Sequence, residues 1–147
     1  MGIYGTTRED LLGGVVHVLT GGRASSVKVS STAKTGYTNY STATGEVKGI
    51  VLPREENLPK GFTMDAARGL IDHESGHALY TELPPGSPRM DSLLGTIANI
   101  LEDPRVEALM MERYIGSVEN IHALNEVGFR NIFESVQKDG AKADALP

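Results

Sequence analysis

The residues in this chain that are most clearly able to do chemistry are two histidines and a glutamate. His73, Glu74 and His77 form the pattern His-Glu-x-x-His. On an α-helix, residues four apart lie one above the other, so both imidazoles can reach one metal ion. Glu74 lies about 100° further around the helix axis, where it can reach a water molecule beside that metal. The spacing therefore predicts a metal-binding helix that carries its own general base.

This pattern is typical of zinc-dependent peptide hydrolysis. A catalytic zinc ion uses three protein ligands and leaves its fourth position to water, so two histidines need a third partner. The chain has no cysteine. A thiolate ligand and a cysteine nucleophile are therefore excluded, and the remaining ligand must be a histidine, an aspartate or a glutamate.

A carboxylate is the better candidate for the third ligand, because the only histidine after the motif is the distant His122. We expect Glu102 to fill this place. Asp103 and Glu107 are the alternatives, and one of them could instead orient a ligand histidine through its second ring nitrogen. Glu82 follows His77 by five residues, beyond a favourable same-face spacing, and is expected to be exposed.

The reaction also needs a donor that steadies the oxyanion. We name Tyr114 for this role, although His122, Arg105 and Tyr80 fit the sequence equally well. His17 lies among apolar residues of an N-terminal helix and is expected to be a packed or rim histidine rather than a ligand.

The composition is that of one ordinary domain of 147 residues, with 39% hydrophobic and 22% charged residues. A net charge of −5 without a dense basic run disfavours nucleic acid and anionic membranes as partners. No apolar stretch approaches the roughly 20 residues of a membrane span, and no secretory leader is visible. We expect a cytoplasmic protein that acts on a peptide or protein substrate.

The fold class predicted from hydrophobic periodicity is α+β. A helix is expected over 7–19, followed by β-favouring runs at Val27 and Val29, at 37–42 and at 47–52. Glycines separate these runs, which favours a three-stranded antiparallel unit. The strand at 47–52 could present an open edge to an extended peptide.

The second half of the chain is expected to be helical. Thr63 can cap the helix that carries the motif, which should stop at Leu83–Gly86. Ser87-Pro88 should open the next helix, Pro104 should kink or restart it, and Gly116 is a plausible left-handed stop. A last helix is expected over 117–136. We predict one domain over 1–137 and a loose tail or linker over 138–147, typical of a piece of a longer protein.

Part of the chain also resembles known peptidases. The segment 69–77 resembles the active-site helix of gluzincin-type HExxH zinc metallopeptidases, whose third ligand is a glutamate from the following helix. Glu102 matches that ligand by role. The stretch 99–107, with Arg113–Gly116 and Asn120, is similar to a segment of phage or bacterial peptidase-like and cobaltochelatase-subunit-like proteins, which often carry a von Willebrand factor A domain. The likeness spans 69–125, about 40% of the chain, and implies a zincin-like fold and a larger parent chain or partner subunit.

The sequence therefore predicts a zinc metallopeptidase, presumed to be an endopeptidase. His73, His77 and Glu102 would bind Zn²⁺, and Glu74 would be the general base. The alternative is a non-catalytic, metal-stabilised module that binds within a larger chelatase-like or von Willebrand factor A-associated assembly. Glu74 distinguishes the peptidase from the metal-stabilised module, because a purely structural zinc site has no use for a general base.

Overall fold

A small mixed sheet and four α-helices make up the described part of the chain, which in this computed structural model covers residues 8–24, 26–87 and 92–143. In chain order the elements are α1 (Arg8–Leu19), β1 (Val27–Ser30), β2 (Tyr37–Tyr40), β3 (Val47–Pro53), a 3-10 turn (Glu55–Asn57), α2 (Met64–Tyr80), α3 (Leu93–Arg113) and α4 (Ile115–Ala143). The predicted α+β class is confirmed. Among the described helices, none combines the length and apolar character needed to cross a bilayer.

The sheet has the strand order β1-β3-β2, with β3 in the middle. β2 pairs with β3 in antiparallel fashion, whereas β1 pairs with β3 in parallel. The prediction of a fully antiparallel unit is therefore wrong, because the chain leaves β1, crosses to the far side of β3 and returns along it. The expected open edge at 47–52 is also wrong, since β3 has a partner on each side and the free edges belong to β1 and β2.

The core lies between α1, the sheet and one side of α2. Its buried residues come from these three elements and the turn after α1: Val16, Ala24, Val27, Ile50, Leu52, Leu70 and Ala78. The central strand β3 is buried from Gly49 to Pro53. A strand that is covered on both faces reads as a continuous apolar run, which is how this segment appears in the sequence.

The motif helix α2 begins as the sequence predicts. Thr63 is its N-cap, and the threonine hydroxyl accepts a hydrogen bond from the backbone N–H of Ala66. The helix ends at Tyr80, just before the expected stop. Gly76 lies inside the motif, where a Cβ atom would come within 2.9 Å of Met110 Cγ. The missing side chain therefore lets α3 approach closely beside the histidines.

The next helix, α3, runs unbroken from Leu93 to Arg113, with Ser92 as its N-cap. The expected restart at Pro104 is wrong. A proline inside a helix costs roughly 3 kcal/mol, but Pro104 is exposed while Val106 and Met110, just after it, are fully buried against α2. Tertiary packing thus outweighs the local cost. Pro88, part of the expected helix start, lies outside the described residues.

The last helix, α4, begins at Ile115, directly after the extended cap residue Tyr114. Gly116 lies inside α4 and lacks a positive φ, so it is not the predicted left-handed stop. The helix continues to Ala143, so the first part of the expected loose tail is helical and the rest, 144–147, lies outside the described residues.

Candidate metal centre

His73 and His77 lie side by side on α2, as their spacing predicts. Their rings meet edge to face with centroids 4.8 Å apart. Both are largely withdrawn from water, with 14% and 9% of their side chains exposed. Two nearly buried imidazoles on one helix face make a plausible pair of metal ligands.

The carboxylate that joins this pair is Asp103 of α3. Its Oδ1 lies 3.1 Å from His77 Nε2 and 3.9 Å from His73 Nε2. The three ligand atoms all lie within 4.8 Å of one another and could hold a metal ion. In tetrahedral coordination, zinc–ligand bonds of about 2.0 Å place ligand atoms about 3.3 Å apart. The two distances from Asp103 lie on either side of this value, and two imidazoles with one carboxylate are donors that could hold a metal ion.

Glu102, the expected third ligand, is turned away from the histidines. Its Oε1 accepts hydrogen bonds from Thr81 Oγ1 at 2.7 Å and from Arg105 Nη2 at 2.6 Å, and its Oε2 accepts one from Arg105 Nε at 2.7 Å. The Arg105 guanidinium, aided by Thr81, lowers the pKa of Glu102. The geometry therefore favours Asp103 over Glu102 as the third ligand, because the Glu102 carboxylate is already held by the Arg105 guanidinium.

A second shell of hydrogen bonds fixes both imidazoles. His73 Nδ1 lies 2.9 Å from Glu107 Oε1, and Asn125 of α4 donates to Glu107 Oε2 at 2.9 Å. Burial opposes ionisation of Glu107, but the hydrogen bonds from His73 and Asn125 prevail and lower its pKa. An ionised Glu107 can only accept, so His73 Nδ1 carries a proton and Nε2 is left for a metal.

His77 is oriented in a similar way. Its Nδ1 lies 2.9 Å from Thr81 Oγ1. Since Thr81 uses its own proton to bond Glu102, its oxygen must accept from His77. Both Nε2 atoms therefore face Asp103, and His77 Nε2 lies within hydrogen-bonding distance of Asp103 Oδ1 at 3.1 Å. Of the two residues expected to orient a ligand histidine, Asp103 and Glu107, it is Glu107 that contacts an Nδ1 atom. Thr81 was not among the expected residues, although its four-residue spacing from His77 could have indicated it.

An outer-shell role for Glu107 predicts a measurable loss of metal affinity. In Glu107→Ala we expect zinc affinity to fall about 10- to 100-fold, because His73 loses the group that fixes its ring. Competition against a chromophoric chelator measures this, with Glu112→Ala, an exposed glutamate on the same helix, as the control. Equal affinity in both variants would contradict the role.

Glu74 lies on the neighbouring face of α2 and is 4% exposed. Burial raises the pKa of its carboxyl group. Thr38 Oγ1 on β2 lies 2.9 Å from both Glu74 Oε2 and the Glu74 carbonyl oxygen. A Cβ atom on the buried Gly36 would come within 3.0 Å of Glu74 Oε1. Gly36 and the following strand β2 therefore position the Glu74 carboxylate beside the two histidines, where it could act as a general base.

A cleft of about 640 Å³ opens over these groups. Its walls include Thr38 and Tyr40 of β2, Leu70 of α2, Ile100 of α3, and Leu124 and Gly128 of α4, besides Glu74, Glu107 and the candidate ligands. Thr38 and Tyr40 alternate along β2 and so face α2 together. Tyr40 donates a hydrogen bond to the His77 carbonyl oxygen at 2.9 Å, and burial raises the pKa of its hydroxyl. The spacing of two between Thr38 and Tyr40 is the feature of the sequence that could have predicted that both line the cleft.

Tyr114, the expected oxyanion donor, does not line this cleft. Its hydroxyl donates to the Leu19 carbonyl oxygen at 2.7 Å and accepts from Arg113 Nε at 3.0 Å. It therefore links α1 to the junction of α3 and α4, which is a structural role. The alternatives His122, Arg105 and Tyr80, like His17 of α1, are also absent from the cleft walls.

Comparison with known proteins gives no further assignment. No protein-family model matches the chain, and neither a curated protein nor a solved structure matches it. A function for this chain must therefore be inferred from the geometry of this centre.

Proposed function

We propose that this chain is a zinc-dependent metallopeptidase with a zincin-like arrangement of its site. One observation carries the proposal: both histidines have their Nδ1 atoms tied to outer partners and their Nε2 atoms directed towards Asp103. A site of three protein ligands leaves one coordination position to water, which is the composition of catalytic rather than structural zinc centres.

Glu74 supports a hydrolytic role for this site. Zinc, when bound, would lower the pKa of a bound water to about 7. The Glu74 carboxylate would then accept a proton from the attacking water and return it to the departing amine of the peptide. A non-catalytic metal-binding module has no use for a buried base in an open cleft, so this feature favours the enzyme over the alternative.

The edge strand β2 suggests how a peptide would lie. β2 pairs only with β3 among the described strands, and it runs past Glu74. An extended substrate could add to its free edge through backbone hydrogen bonds, so its scissile carbonyl would lie near the metal centre. Recognition would then depend partly on backbone rather than on side chains.

The test combines metal analysis with an unbiased search for cleavage. We expect one equivalent of zinc in purified wild-type protein after dialysis, and cleavage of a proteome-derived peptide library followed by mass spectrometry. A chelator should stop cleavage and added zinc should restore it. Stoichiometric zinc without any cleavage would favour the metal-stabilised binding module, and failure to bind zinc after remetallation would refute the metal site.

A further inference from the structure

Two helix faces beside the metal cleft are apolar and exposed. In the first half of α3, the stretch Ser92–Leu101 contains no charged residue. Its large apolar side chains nevertheless face solvent, at exposures of 47% to 78%: Leu93, Leu94, Ile97, Ile100 and Leu101. In the second half of α4, Phe129, Ile132, Phe133 and Val136 are 63% to 72% exposed. Contiguous exposed apolar surface of this kind marks binding sites in soluble proteins.

These two faces continue the walls of the cleft. Ile100 and Gly128 both line it. Ile97 lies one turn before Ile100 on α3, and Ile132 lies one turn after Gly128 on α4. Only Tyr114 separates the helices, and Glu107 contacts Asn125 across them. The helices therefore run antiparallel, and the apolar faces extend the cleft in one direction. We call this surface the α3–α4 groove, defined by Ile97, Ile100, Gly128 and Ile132.

The charges around the groove restrict what can occupy it. Among the described residues that line the cleft there is no lysine or arginine, whereas Glu74, Asp103 and Glu107 are all present. The charged residues of the same part of α4 include Glu126 and Arg130, which pair with each other at 2.7 Å. The groove itself thus offers apolar contacts beside an acidic cleft, so it would repel acidic side chains and accept apolar ones.

We propose that the α3–α4 groove binds an apolar, non-acidic stretch of polypeptide next to the bond to be cleaved. This inference rests on the proposed function, since the occupant is the substrate itself. Six residues separate Ile97 from Asp103, about 9 Å along the helix, and an extended peptide covers that distance in about three residues.

Gly128 gives the groove room for side chains. A Cβ atom at this position would meet no atom within 4 Å, although the residue lines the cleft. A side chain added here therefore begins in open space beside the cleft. Gly128→Leu should exclude the apolar stretch, and Gly116→Leu, in the same helix with equally open surroundings, is its matched control.

Peptide hydroxamates bound to the zinc-loaded chain can test the groove. Two sets of pentapeptides serve as probes, one of leucine and phenylalanine and one of glycine and serine, and each peptide is made with the hydroxamate at one end or the other. Acetohydroxamate is the third probe and reports binding to the metal alone. We expect one apolar probe to bind at least about tenfold more tightly than its glycine–serine match, as burial of one or two large side chains implies. Ile100→Asp and Gly128→Leu should remove this advantage, whereas Ile115→Asp and Gly116→Leu should keep it.

The controls separate the groove from the metal site. Acetohydroxamate should still bind every variant, and thermal melts should show that each is folded. Equal binding of apolar and glycine–serine probes, with acetohydroxamate still bound, would refute the groove and leave the metal site standing. Loss of the apolar advantage in Ile115→Asp as well would also refute it.

A wild-type dimer in sedimentation that Ile100→Asp converts to a monomer would assign the face to a second copy. Failure of every hydroxamate and of zinc would refute the proposed function, and the groove with it.

Discussion

Replacing Glu74 by glutamine is expected to abolish peptide hydrolysis while zinc stays bound. The amide keeps the size of the side chain and can still bond Thr38, but it cannot accept a proton from water at neutral pH. General acid–base catalysis contributes about 10²- to 10⁴-fold to a rate, so kcat should fall by at least this range. Turnover of a library-derived peptide measures the loss, and metal analysis shows whether the zinc remains.

The matched control is Glu82→Gln, which makes the same change at an exposed glutamate. It should leave both turnover and zinc content unchanged. The Glu74→Gln variant should melt no lower than wild type, because a buried neutral amide replaces a carboxyl group whose ionised form is disfavoured by burial. Zinc-dependent turnover that survives in Glu74→Gln would exclude Glu74 as the base and require another proton acceptor in the cleft.

Local patterns predicted the helix that carries the site. A capping threonine, an apolar periodicity and the four-residue histidine spacing all operate within α2, so Thr63, His73, Glu74 and His77 could be placed from sequence alone. Each of these signals depends on residues about one turn apart, so it can be recognised without knowing how distant segments pack. The structure agrees with them for that reason.

The choice between Glu102 and Asp103 depended instead on how α3 is rotated about its axis. Neighbouring residues on a helix differ by about 100° in direction, so Asp103 and Glu102 cannot both face the histidines. Glu102 and Asp103 lie four and three residues before the fully buried Val106, so helical spacing alone does not separate them. The contacts with α2 do: Asp103 Oδ1 lies 3.1 Å from His77 Nε2, whereas the Glu102 carboxylate is held by Arg105 and Thr81. In the sequence, the large apolar residues of 93–101 also suggest another face of α3 as the buried one, although they are in fact exposed.

The predicted pairing of the strands was wrong for a related reason. Strand runs were located correctly from composition, but their order depends on contacts between distant segments. Reading the strands in chain order pairs β1 with β2, whereas β3 lies between them. No local pattern around Val27 or Tyr37 encodes that choice. The consequence is functional, because the free edge beside Glu74 belongs to β2.

Removal of Asp103 is expected to cost the protein its zinc, whereas removal of Glu102 is not. Asp103→Ala deletes one of three ligands, so zinc should be lost on dialysis against metal-free buffer. Glu102→Ala should retain stoichiometric zinc, with affinity lowered by no more than the 10- to 100-fold typical of outer-shell changes. Metal content by mass spectrometry and affinity by chelator competition distinguish the two.

A double-mutant cycle tests whether Glu102 acts through Thr81. Glu102 holds the hydroxyl that orients His77, so Thr81→Ala should lower zinc affinity by a similar factor, and the double variant should lose little more than either single one. Residues that act through one shared contact are non-additive in this way. If Glu102→Ala loses zinc while Asp103→Ala keeps it, Glu102 is the ligand after all. That result would require α3 to turn about its axis when the metal binds.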